Sequence, residues 1–159
     1  METTTALLIH QYLIYELEKV DCNPESNSMN QNLRAVGTNL GYKTMLKLSS
    51  NSPMSKTKDV NSSIKFFIET FWEFFFGKKI PMVQLSETNK AVFVDADFDL
   101  LSRTITKGSD PKAFQEHTKN FVRYIIEGAM SAISLKSNVE VQFNEGKTTF
   151  LIECTELTN

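Results

Sequence analysis

Along residues 5–20 two apolar stripes run side by side. Ala6, Ile9, Leu13, Leu17 and Val20 recur at three- and four-residue steps, and Leu8, Tyr12 and Tyr15 repeat that spacing on a neighbouring face. The period predicts a helix. A surface helix needs one apolar stripe, so the second stripe predicts a second neighbour, in this domain or in another chain. Residues 21–31 are polar around Pro24 and read as a loop. A second helix is predicted over 31–48, with Leu33, Val36, Leu40, Thr44 and Leu48 on one side. Gly37 and Gly41 lie four apart and share a face. An interior glycine costs a helix about 1 kcal/mol relative to alanine. Two on one face therefore predict a compensating gain, the close approach of another helix.

Serine, asparagine, lysine and threonine dominate residues 49–62, a predicted surface loop. The third helix is predicted over about 58–77. Its polar stripe is narrow, Lys65, Glu69 and Glu73, and the rest is bulky, from Ile64 and Phe67 to Phe71, Trp72 and Phe75. A helix this apolar is nearly surrounded, and Gly77 followed by Lys78 and Lys79 is a C-terminal stop. Short apolar runs at 81–85 and 91–95 predict a hairpin, followed by an irregular connection over 96–110. Asp110 and Pro111 open a fourth helix, predicted over 111–136. Its polar stripe is Glu116, Asn120, Arg123, Glu127, Ser131 and Ser134. A second hairpin closes the chain: Val139, Val141 and Phe143 alternate with polar residues, 144–147 turns, and Phe150, Ile152 and Cys154 alternate again. The order ααα-ββ-α-ββ segregates helices from antiparallel hairpins, which is the layered α+β class. The 159 residues fit a single domain over 1–159.

Charge narrows the partners. The formal net charge is −2, which argues against nucleic acid, whose phosphates demand a basic face. No stretch reaches the ~18 apolar residues of a membrane span. The N-terminus lacks the basic segment of a signal peptide. Cys22 and Cys154 are too far apart in sequence for a CxxC motif, and the expected setting is a reducing, cytoplasmic one.

Candidate chemistry is thin. There is no P-loop and no dinucleotide-binding glycine motif. His10 and His117 have no second ligand at metal spacing. Asp95, Asp97 and Asp99 imitate the start of a calcium loop, but Leu100 and Thr106 stand where glycine and glutamate are required. The reading is no catalytic residue, no metal and no cofactor. The aromatic helix at 66–76 offers one alternative, a pocket for a small apolar ligand.

Four segments together carry a family likeness. They are Leu33–Gly41 with its two glycines, Ile64–Gly77 with Phe71-Trp72, Val92–Leu101, and Phe121–Leu135 centred on Glu127-Gly128-Ala129-Met130. In order and spacing the chain resembles the small core subunits of the TRAPP vesicle-tethering complex, most closely the subunit 6 branch. The resemblance implies a plait with about four helices on one side of a four-stranded antiparallel sheet. It implies a non-catalytic subunit that pairs with a subunit 3-type chain through the first two helices, or with itself in isolation. It also implies a core that exchanges nucleotide on a Rab GTPase, touched by this branch only indirectly. The expected place is cytoplasmic, peripheral to cis-Golgi and ER–Golgi membranes. Two features depart from relatives: residues 49–63 hold no cysteine for acylation, and position 127 is acidic. The expected partner face is Ile9, Leu13, Leu17, Leu33, Val36, Gly37, Leu40 and Gly41.

Overall fold

The computed structural model describes residues 27–52, 59–80, 83–85, 89–95, 111–144 and 147–156. The predicted first helix, with Ile9, Leu13 and Leu17, lies outside them, as do the irregular connection over 96–110 and the tip of the last hairpin.

Helix α1 runs Asn27–Ser50. It begins four residues before the predicted start and continues past the predicted end. Serines ease that extension, since the Ser49 and Ser50 hydroxyls donate to the carbonyls of Leu46 and Lys47. Helix α2 opens at Val60, capped by Asp59, whose carboxylate accepts from the backbone N–H and the hydroxyl of Ser62. Those bonds hold the Asp59 carboxyl below its ordinary value. The helix is α-helical over Val60–Phe66, π-helical over Phe67–Phe71 and α-helical again over Trp72–Phe76. In the wide turn the Trp72 N–H reaches back five residues to the Phe67 carbonyl. Gly77 ends the helix in the left-handed conformation, φ 75°, its N–H on the Glu73 carbonyl.

Strands β1 (Val83–Leu85) and β2 (Lys90–Asp95) pair antiparallel, Gln84 opposite Val92. Helix α3 covers Pro111–Ala132, and strands β3 (Leu135–Asn144) and β4 (Lys147–Glu156) form the last hairpin. The fourth predicted helix is thus corrected: it stops four residues short of Lys136. Ser134 turns the chain with φ 62°, a conformation that ends a helix without the usual glycine.

The sheet order is β1-β2-β4-β3, all antiparallel. Phe93 lies opposite Phe150, and Ile152 lies between Ala91 and Val139. All five are buried, so they line one face. Lys90, Val94, Lys136, Asn138 and Glu140 are exposed on the other. This is the period-two alternation of a sheet covered on one side. Helix α3 lies on β3, and α1 lies on α3 and on the π turn. Beneath α2, Trp72 meets Phe93 and Phe150 edge-on at 4.9 and 4.7 Å, while Phe67, Phe71 and Phe75 stack in series. Edge-on and offset pairs of this kind add about 0.5–1.5 kcal/mol each beyond the area they bury.

Candidate functional site

Helix α1 has two working faces. On the inner one, Leu33 and Met45 are wholly buried, and Leu40 and Leu48 are half-buried against the core. Between them Gly37 and Gly41 meet α3. A Cβ on Gly41 would stand 1.9 Å from the Ile125 carbonyl oxygen, and one on Gly37 would stand 3.0 Å from Tyr124 Cβ. Gly128 answers from α3: its Cβ would stand 2.1 Å from the Thr38 carbonyl oxygen. The two backbones touch because neither carries a side chain at the crossing. The close approach implied by the paired glycines is therefore met inside the chain.

That geometry places the described members of the expected partner face one by one. Leu33, Gly37 and Gly41 are occupied by the chain's own core, and Leu40 is mostly so. Val36 alone among the described members points outward, 40% exposed, and Tyr42 and Leu46 join it at 41% and 47%. The outer stripe runs Ala35, Asn39, Tyr42, Leu46, in steps of four, three and four, all exposed. Sequence reasoning missed it because glycines carry no hydropathy. The predicted stripe therefore leaned toward Val36, where the buried face leans toward Met45. The available signal was Tyr42 and Leu46, two large apolar residues that the Leu33-Gly37-Gly41-Met45 line leaves outside.

An open groove follows the outer stripe, lined by Gln31, Arg34, Ala35, Thr38, Asn39 and Tyr42. Its lining residue Arg34 reaches toward polar groups of α3. The Arg34 and Arg123 guanidinium carbons lie 6.0 and 5.0 Å from the centre of the Tyr124 ring, within the range of a cation–π contact. Arg123 also donates to the Tyr124 hydroxyl at 3.3 Å and sits 3.7 Å from Glu127. Burial raises the Glu127 carboxyl above its ordinary value, and the charges of Arg123 and Arg34 oppose that shift. The polar stripe predicted for this helix is half-covered at Asn120, Arg123 and Glu127.

Among the described residues nucleophile chemistry is poorly served. Cys154 faces the core, and burial pushes its thiol up to about 11, which keeps it protonated and unreactive. His117 is half-buried, with its imidazole lowered by desolvation. Among the described residues no three histidine, cysteine, aspartate or glutamate side chains gather as a metal site. No described helix is long and apolar enough to cross a membrane. The arrangement is suited to packing and docking.

Among solved structures the fold matches a trafficking protein particle complex subunit 3 from Naegleria fowleri, covalently bound to palmitic acid in that crystal. The TM-score is 0.71 at 13% identity, with 96% of this chain and 95% of that one covered. No curated protein sequence matches significantly. The sequence pattern of one protein family, however, matches residues 6–155, nearly the whole chain. On that match the chain belongs to the family of Transport protein particle (TRAPP) components.

Proposed function

We propose that the chain is a non-catalytic structural subunit of a TRAPP-like tethering complex, of the subunit 6 type, and that it pairs with a subunit 3-type chain. One observation carries the pairing. Helix α1 has already filled its inner face with the chain's own core, yet it still presents Val36, Tyr42 and Leu46 to solvent. Tyr42 and Leu46 lie one turn apart on the outer face with Val36 at its flank, and large apolar side chains so grouped mark a protein contact more often than scattered ones do. Ile9, Leu13 and Leu17, with the second apolar stripe of the first predicted helix, extend the same proposal. A face of roughly 800 Å² per partner is the standard size for such a contact. The chain would then sit in the cytoplasm, peripheral to cis-Golgi and ER–Golgi membranes. Its link to Rab nucleotide exchange would be indirect, through the assembled core.

Co-expression with a subunit 3-type chain tests the reading. The expected product is a soluble 1:1 complex, lost in a Tyr42→Glu, Leu46→Glu double variant that still folds. A chain that elutes alone in the presence of that partner overturns it. The alternative, a module for a small apolar ligand, draws on the palmitic acid of the Naegleria protein. Here the space under α2 is occupied by Trp72, Phe76, Phe93 and Phe150 in mutual contact. Native mass spectrometry of the purified chain separates the two readings, with no bound lipid mass expected.

A further inference from the structure

Strand β3 is ten residues long and lies at the end of the sheet. Among the described residues it has a strand neighbour, β4, on one edge only. In an antiparallel ladder alternate residues direct both backbone groups to one neighbour, and the rest direct theirs away. The outer edge of β3 therefore offers a row of donors and acceptors that pairs readily with another strand. We infer that this edge pairs with the same edge of a second copy of this chain, antiparallel, about a two-fold axis through Asn138.

The side chains select both the occupant and the register. With Asn138 on the axis, Lys136 of each copy lies opposite Glu140 of the other, so two opposite-charge pairs form on the solvent face. On the helix-covered face Leu135 meets Val141, and Ser137 meets Val139. Leu135 is buried and Val141 half-buried, so Leu135 and Val141 adjoin as an apolar pair across the new seam, and the small Ser137 fits beside Val139. Sliding the axis to residue 136 sets Lys136 against its own copy, and sliding it to 140 does the same for Glu140. Like charges directly opposite are unfavourable and unlike charges favourable. Axes through 137 or 139 oppose each charge with a neutral residue.

Both charges are available for this pairing. Lys136 and Glu140 are exposed. Glu140 accepts one hydrogen bond from Gln142 at 2.6 Å and keeps further acceptor sites. An edge guarded by charges of a single sign would hold copies apart. This edge carries one of each, spaced symmetrically about its middle residue.

The test uses the full chain carrying Cys22→Ser, which leaves the buried Cys154. Sedimentation velocity over a concentration series is expected to show a reversible dimer. Lys136→Glu and Glu140→Lys should each weaken it about tenfold, and the double reversal should restore it. Residues directly opposite have Cβ atoms about 4.5–5.5 Å apart, near the reach of a disulfide. Asn138→Cys should therefore cross-link to its own copy under mild oxidation, and Asn144→Cys, near the hairpin tip, should not. All four positions are exposed, and unchanged thermal melts will confirm that the variants fold. A chain that stays monomeric to millimolar concentration overturns the inference. So does a dimer indifferent to Lys136→Glu, or cross-linking with no preference for position 138.

Discussion

The two halves of the helical layer are held by opposite means. Helix α2 meets the sheet by volume: Trp72 wedges between Phe76, Phe93 and Phe150, all with ring centres within 5 Å of it. Helices α1 and α3 meet by removal of volume, with Gly41 against the Ile125 carbonyl and Gly128 against Thr38. The first contact draws its stability from apolar area. The second draws on short-range attraction between backbones and tolerates nothing inserted. A deletion should damage one, and an addition should damage the other.

Trp72→Ala should have the largest effect, about 4–5 kcal/mol in chemical denaturation, by opening a cavity in the aromatic cluster. Against a total of about 5–15 kcal/mol that leaves the chain close to unfolding. Gly41→Ala adds only a methyl group but should cost about 3 kcal/mol, because the atom it meets is a carbonyl oxygen that cannot turn aside. Gly128→Ala should behave alike. Gly37→Ala sharpens the contrast. Its neighbours are side-chain atoms at 3.0–3.2 Å, and the gain in helix propensity of about 1 kcal/mol should bring the net change to within about 1 kcal/mol of zero. A Gly37→Ala loss as large as that at Gly41 would show that the seam has no graded tolerance.

The smallest effect lies at the polar border of that seam. Burial raises the Glu127 carboxyl in the folded chain. A raised acid favours folding below its ordinary pKa, and that advantage is lost as pH rises through the folded value. Glu127→Gln should therefore melt slightly higher than the natural chain at pH 7. The difference should vanish near pH 4, as followed by thermal melts at both values.

The aromatic contact was legible in the sequence in full and the glycine contact only in part, for one physical reason. Trp72, Phe71 and Phe75 advertise burial wherever they stand, and so does the alternation Phe150, Ile152, Cys154. Gly37 and Gly41 signal only that something comes close, without saying what. Their partner is α3 of the same chain. Boundaries failed where polar residues kept a helix going or stopped it without a marker. Asn27 through Asn30 read as loop yet begin α1. Ser134, in a conformation that usually calls for glycine, ends the α3 region inside a pattern that still looked helical. The helix cap at Asp59 was missed because its partner, Ser62, sat within residues read as loop.

The wide turn at Phe67–Phe71 has a consequence for how sequences are aligned to this one. Such a turn is an α-helix that has taken in one extra residue, and one residue swings everything beyond it by about 100°. The swing lets Phe67 and Trp72, five apart, both point into the interior. A cousin protein lacking the insertion would need a single-residue gap within this helix to be aligned correctly. Threaded without the gap, its tryptophan equivalent would be placed on the wrong side. Excising Glu69, which is exposed, would restore uninterrupted α-helical spacing and rotate one half of the helix off its seat.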